Sequence, residues 1–373
     1  MNTRIQGMSW LTPLGNSLEE VWSRLMHGEA GEVNSIGDCA HRHFYIPVPL
    51  KQVAALGKNP RLRRSSAISY FTAAAGLAAL ENAGIDSETA AGIAVISAVS
   101  SGGVIYTRRF YETIVEQGAS AASPLLFPET VHNAPASHLA ALLGIDGVSY
   151  TLVGDSTVGI SAMRLAEQLL ETGQASHCLV VGGEEVDWIL CEGYRRWRFV
   201  TAKPGIALFA RRPAGTLLAE GAAALVLSRE GPVRLRRIHD GVPFFDSAGA
   251  GEAASRVCSC LAEEGKIGLA VASANGSFVD GAEAAALRRA LPGIPVYCPK
   301  AALGDALGAA SIIQTVAGAL ALMKQEIPPT LGLDHSVEEI GAAAEPRRNA
   351  NIQSVLVSAI GFNHQAAGLV LSA

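Results

Sequence analysis

The chain has 373 residues, 49% of them hydrophobic, 17% charged and 6% aromatic, with a formal net charge of −5. Such a length can bury a large core without disulfides or metals, and so much apolar content excludes intrinsic disorder. The acidic balance argues against general nucleic-acid binding.

The opening stretch, MNTRIQGMSWLTPLG, lacks the apolar core of a secretion signal. No uninterrupted apolar run reaches the roughly 18 residues of a membrane span. Cysteines stand at 39, 178, 191, 258, 260 and 298 without a C-x-x-C pair, so neither a zinc site nor a disulfide framework is indicated. Reduced thiols and a cytoplasmic location are expected. Residues 65–84 read as an amphipathic helix ending at Gly84. Residues 91–97 are a buried-strand run that breaks into Ser-Ser-Gly-Gly. Residues 148–153 read as a strand, Gly154-Asp155-Ser156 as a sharp turn, and 158–172 as a helix closed by Gly173. Residues 178–183 form another short strand, while 210–217 and 335–350 are polar, turn-rich loops. Strands alternating with helices predict an α/β fold, with a parallel or mixed sheet covered on both faces.

Two pairs of segments echo one another. GAAALVLS at 221–228 resembles AAGLVLSA at 366–373, and the helix after Ser156 resembles the one after Asp305. An internal duplication is expected, with halves 1–230 and 231–373.

Four strand-end turns could carry chemistry and converge on one cleft. At Ser156 a strand turns abruptly into a helix. That corner suits a nucleophile beside amide donors, or simply an N-cap serine. Asp305 reads as a carboxylate beginning a long helix, where the dipole favours it. Lys300, just before it, could pair with a carboxylate. Asn275 ends a strand and could point into the cleft. Gly361-Phe362 could form a pocket wall and supply an amide, and His364 follows in the same turn.

Taken together, these segments resemble the β-ketoacyl-acyl carrier protein synthases of the thiolase superfamily. The resemblance rests on Ile5-Gln-Gly-Met-Ser-Trp-Leu-Thr-Pro-Leu-Gly15, the Arg-rich entry at 61–85, SPLLFPETVHNAPASHLAALLGI at 123–145, GGEE at 182–185, EGAAALVL at 220–227, Pro328-Pro329-Thr330 and the closing GFNHQAAGLVL. It implies a thiolase-like α/β fold of two similar βαβαβαββ halves in a five-layered αβαβα sandwich.

The resemblance also implies a degenerate site. Ser156 falls on the family's nucleophilic cysteine, Asn275 on its first catalytic histidine and Asp305 on its second. Lys300 and Gly304 keep their places, and the family's Gly-Phe-Gly-Gly turn reads Gly361-Phe-Asn-His. Decarboxylative condensation needs a soft nucleophile and two imidazoles. Serine requires an adjacent base, asparagine exchanges no proton, and a carboxylate repels the malonyl group and the enolate. Losing several members of a coupled set costs orders of magnitude in rate.

The implied role is therefore a non-condensing sister subunit, resembling the chain-length factors of type II polyketide and polyene systems. Such a subunit pairs with an active ketosynthase and serves an acyl carrier protein. Its ligand would be the carrier's phosphopantetheine arm, with no metal, nucleotide cofactor, nucleic acid or membrane involved. Phe127, His132 and His138 are candidates for its tunnel floor, and Phe362 for a gate residue that, with the Ser156 amide, donates to an oxyanion. Lys300 is expected to pair with Glu220 or Glu185. Arg195, Arg196 and Arg198, with Trp197, could meet the acidic carrier. Two other readings stay open: a Ser156–His364–Asp305 relay serving an acyltransferase or thioesterase, and an inert homodimer that binds carrier protein.

Overall fold

Ten strands build the main sheet: β1 (Arg4–Leu11), β2 (Ala94–Val99), β3 (Ser149–Val153), β4 (Cys178–Glu184), β5 (Gly221–Ser228), β6 (Val233–Pro243), β7 (Leu269–Val271), β8 (Val296–Tyr297), β9 (Ser354–Ile360) and β10 (Gln365–Ser372). The computed structural model describes residues 3–37, 41–333, 340–342 and 344–373. The predicted 335–350 loop is among the described residues only in part, and Cys39 lies outside them. The other five cysteines are free.

The strand order is β8-β7-β9-β10-β6-β1-β5-β4-β2-β3. Within each half the first strand pairs antiparallel with the fifth, the fifth antiparallel with the fourth, the fourth parallel with the second, and the second parallel with the third. The chain thus traces one topology twice. The segments 221–228 and 366–373, alike in sequence, are the fifth strand of each copy. Among the described residues the two half-sheets pair only at the tips of β1 and β6, where Arg4 faces Arg234 and Ile5 faces Val233.

Because the half-sheets share only that corner, helices fill the space between them. These are α4 (Val158–Glu171) and α9 (Ala310–Lys324), numbered among α1 (Ala67–Asn82), α2 (Val104–Gln117), α3 (Ala134–Leu143), α5 (Trp188–Arg196), α6 (Ser247–Ala262), α7 (Val279–Ala290) and α8 (Lys300–Leu303). Helix α4 packs on β4 and β2 from one half and on β6 and β10 from the other, and α9 touches both halves too. Helices α1 and α3 cover the outer face of the first half, and α6 with α7 that of the second. The result is the five-layered αβαβα thiolase-like sandwich.

Layer position sets side-chain pattern. Thirteen of the fifteen residues of α9 are buried, so it has no polar face. The stretch Leu307–Lys324 is long and apolar enough to cross a bilayer, yet 89% of it is buried inside the protein as the central helix. Helix α1 corrects an expectation: only Glu81 and Asn82 are exposed, so it is not amphipathic. It is enclosed by β1, β5, β4 and α3, and its Ala and Gly residues permit that close approach.

The middle layer leaves no room for side chains where α4 crosses α9. A Cβ on Gly159 would lie 2.6 Å from Ser311 Oγ and 2.7 Å from Ile312 Cγ1. Gly159→Ala is expected to destabilise the protein by about 1–3 kcal/mol through overpacking. Gly251→Ala, in α6 with no atom within 4 Å of the new carbon, should instead stabilise it by about 0.5–1 kcal/mol. Urea unfolding of both variants checks the pair of signs.

Candidate active site

The site lies where strand ends from both halves meet around the N-terminus of α4. After β3 the chain turns through Gly154-Asp155-Ser156-Thr157 into that helix. Ser156 is 2% exposed and is not the cap, because Thr157 holds the N-cap position without a side-chain cap bond. The Ser156 Oγ instead accepts a hydrogen bond from Lys300 Nζ at 3.0 Å.

Lys300 is the first residue of α8, the short helix after β8, and is 3% exposed. An ammonium has three donors, and all three have acceptors: Ser156 Oγ, Asp305 Oδ2 at 3.1 Å and Ser273 Oγ at 3.5 Å. Its carboxylate partner is therefore Asp305, neither Glu220 nor Glu185. Glu220 accepts the Val48 and Val186 amides, and Glu185 the Ser66 hydroxyl with the Ile68 and Ile105 amides.

Asp305 is wholly buried. It does not begin a helix as expected. Gly304, at φ 77, turns the chain into a single bridge with Leu218, a 3₁₀ turn follows at Leu307–Ala309, and α9 starts only at Ala310. This places the carboxylate beside the strand ends. Its Oδ2 accepts Asn275 Nδ2 at 2.8 Å as well as Lys300, and its Oδ1 accepts the Leu307 amide at 3.3 Å. Asn275 Oδ1 accepts the Ser277 hydroxyl at 2.7 Å. Ser156, Asn275, Lys300 and Asp305 thus form one closed, buried polar network.

Sequence reasoning missed the groups that hold this network. Asp280, in the first turn of α7, clamps the turn by accepting the Asn275, Gly276 and Phe209 amides. Glu184 accepts the Ser100, Ser101 and Gly308 amides and ties the first-half loop to the second. A carboxylate a few residues after an Asn-Gly turn is the one signal that could have marked Asp280. Asp155, beside Ser156, was also passed over. It is 4% exposed, its Oδ2 accepts the Asn363 amide at 2.7 Å, and its Oδ1 has no partner.

His364 does not join the network. It is exposed, at φ 65, with its ring tilted against Phe244 at 5.4 Å. Ser156 Oγ and Asp305 are engaged by Lys300 and Asn275, so the Ser156–His364–Asp305 relay is not assembled. Phe362 is a wall of a cavity of about 490 Å³ beside the Gly154-Asp155 turn, with Asp155, Tyr194, Trp197, Phe199 and His364. Its ring stacks on Phe199 at 4.3 Å. Ser156 does not line this cavity. Phe127 is 56% exposed and His132 is exposed, while His138 bonds Glu129 at 2.6 Å and Ser65 at 3.2 Å. None of these three lines the cavity within one chain. Arg195, Arg196 and Arg198 are exposed beside it, with Arg196 paired to Glu192. Among the described residues no cluster of metal-ligating side chains occurs.

Residues 53–231 match the β-ketoacyl synthase N-terminal domain and residues 239–334 its C-terminal domain. The chain belongs to the β-ketoacyl synthase family. It is 25% identical to the 3-oxoacyl-[acyl-carrier-protein] synthase 2 of Vibrio cholerae, over 98% of this chain and 97% of that protein. Its fold matches the ishigamide ketosynthase/chain length factor with a TM-score of 0.87 at 19% identity, covering 99% and 98% of the two chains. It also matches a ketosynthase in complex with its chain length factor from Xenorhabdus doucetiae, with a TM-score of 0.81 at 19% identity, covering 100% and 98%.

Two outcomes follow from the site's electrostatics. Lys300→Met leaves Asp305 a buried, unpaired charge and should cost about 3–5 kcal/mol. The double variant Lys300→Met/Asp305→Asn, with neither charge, should regain most of that loss in chemical denaturation. Burial also pushes Asp155 up to about 6, Glu220 and Glu283 to about 7, and Glu184 to about 8. The native state therefore binds more protons than the unfolded chain above the ordinary carboxylate range. That stability is fully present below the unfolded values and is lost as pH rises through 6 to 8. Thermal midpoints should fall between about pH 5.5 and about pH 8.5.

Proposed function

We propose that this member of the β-ketoacyl synthase family does not condense acyl chains itself and acts as the chain-length-factor partner of an active ketosynthase. The observation that carries this reading is the closed Ser156–Lys300–Asp305–Asn275 network. Ser156 Oγ faces a donor, the Lys300 ammonium, rather than a base that could take its proton. A serine so placed is not activated for attack. No imidazole stands at the site to donate to an oxyanion or to exchange a proton. By its resemblance to the family Asp305 falls on the second catalytic histidine, and a carboxylate there has the wrong sign to stabilise developing negative charge.

A second group of observations supports a partner chain. Strand β3 is the outermost strand of the first half, with one edge unpaired. Tyr150 is 40% and Val153 58% exposed on it. Elsewhere Tyr111, Val115 and Ile189 line one exposed groove, and Leu125 and Phe127 are exposed as well. A long apolar edge strand invites pairing with another chain, and an apolar patch of this kind marks an interaction surface. Phe127 and His132 are exposed too, and a tunnel that they floor would need a partner chain to close it. The expected ligand is the phosphopantetheine arm of an acyl carrier protein, steered by Arg195 and Arg198 toward the acidic carrier.

Intact-protein mass spectrometry with acyl- and malonyl-carrier thioesters, alone and with a cysteine-containing ketosynthase, tests the reading. No adduct should form on the isolated chain, and elongation by the partner should require it. Ser156→Ala should leave that elongation unchanged. An acyl adduct on Ser156 of the isolated chain would overturn the proposal in favour of a serine-dependent acyltransferase.

A further inference from the structure

A cavity of about 320 Å³ opens at the seam where the two half-sheets pair, on residues that the Ser156 network does not use. Ile5 and Val233, which face one another across that seam, form its inner wall with Met8 and Leu320, while Leu18 and Met323 stand at its rim. Strand β1 shifts register between Ile5 and Gly7, and such a bulge bends a strand. Gly7 lies so close to the end of α1 that a Cβ there would be 2.5 Å from that of Ala83. Gln6 Nε2 donates to the Ala83 carbonyl at 3.1 Å, and the Met8 amide donates to Asn82 Oδ1 at 2.9 Å. These contacts pin β1 to α1 on both sides of the bulge, so the hollow is built into the fold.

An ion pair lies at its mouth. Lys324, the last residue of the central helix α9, lines the cavity and donates to both carboxylate oxygens of Glu19, at 2.9 and 2.6 Å. The two partners are unequally placed. The Lys324 side chain is 26% exposed, on a helix anchored in the core, whereas that of Glu19 is 77% exposed. An ion pair with so exposed a partner contributes little to stability. Glu19 can turn into water at small cost, while the ammonium stays where α9 holds it. Lys324 therefore offers a carboxylate position at the edge of an apolar hollow, and the chain's own side chain fills it.

We propose that this cavity binds an amphipathic carboxylate, with its apolar body against Ile5, Met8, Val233 and Leu320 and its head on Lys324 Nζ in place of Glu19. A mostly apolar cavity of this size, with a few placed polar groups, is of the kind that takes small organic ligands. A neutral ligand of the same shape gains the apolar contacts alone, and a cationic one meets the ammonium. Glu19 acts as a built-in competitor, so its removal tightens binding. The inference uses no residue of the Ser156 network and stands whether or not a ketosynthase partner exists.

The test titrates the full chain with octanoate, octan-1-ol and n-octylamine by isothermal calorimetry at neutral pH. Octanoate should bind about fivefold or more tighter than the alcohol, because a hydrogen bond to a charged group outweighs an exposed ion pair. The amine should bind weakest. Glu19→Gln should tighten octanoate by about two- to fivefold, the equivalent of an exposed pair, and leave the alcohol unchanged. Lys324→Met should bring octanoate within about twofold of the alcohol once the charge-assisted bond is gone. Leu18→Trp, at a half-buried rim position, fills the hollow and should abolish saturable octanoate binding, which separates this cavity from the one beside the Gly154-Asp155 turn. Octylamine binding as tight as octanoate, no gain from Glu19→Gln, a carboxylate preference that survives Lys324→Met, octanoate binding that survives Leu18→Trp, or no binding of any probe would each overturn the proposal.

Discussion

The buried Lys300–Asp305 ion pair is the interaction around which this site is arranged. Taking two charges out of water costs several kcal/mol per ion, and only close geometry with further hydrogen bonds offsets it. Here each remaining valence is met. Lys300 spends its other donors on Ser156 and Ser273, and Asp305 accepts Asn275 and the Leu307 amide. The same satisfaction leaves the Ser156 hydroxyl facing a donor rather than a base. Ser156, Asn275, Lys300 and Asp305 thus form a self-consistent polar cluster.

The scaffold makes that cluster possible by bringing ends of parallel strands from two topologically identical halves to one point. Ser156 follows the third strand of the first half, while Asn275 and Lys300 follow the second and third strands of the other. Helices α4 and α9 cross between the half-sheets, and glycines set the spacing: Gly159 against Ser311, and Gly182 against Ala309 and Ile312. Gly304 needs its positive φ to turn Asp305 inward against Leu217 and Ala219. Shifting any of these contacts would lengthen the 2.8–3.1 Å bonds that hold Asp305.

The fold was largely legible in the sequence because alternation of apolar strands with glycine turns survives divergence, and because the two fifth strands echo each other closely. The convergence of Ser156, Asn275, Lys300 and Asp305 was legible as well, through their strand-end positions. What was hidden depended on contacts distant along the chain. Lys300 finds its carboxylate five residues ahead, across a tight turn, and no pattern distinguishes that from a pairing with Glu185 or Glu220. Asp280 and Glu184 work by accepting backbone amides, which leave no mark on the partner's identity. His364 kept the chain order of a relay, but its left-handed backbone carries the ring outward onto Phe244. The amphipathic reading of α1 failed because a helix enclosed on most sides has no solvent face to encode.

The Gly154-Asp155 turn extends the logic of the ion pair. Inside the network every carboxylate oxygen of Asp305 has donors, but one residue from Ser156 the chain places a second buried carboxylate whose Oδ1 has none. Gly361 has to be glycine there, because a Cβ would collide with Asp155 Oδ1. The backbone is therefore shaped around an acid that the protein itself leaves half satisfied. A polar group buried in this state is costly, and burial accordingly pushes the Asp155 carboxyl up to about 6. Asp155 and Asp305 thus meet burial in two ways, one with its carboxyl raised by desolvation and one with its charge matched by an ammonium.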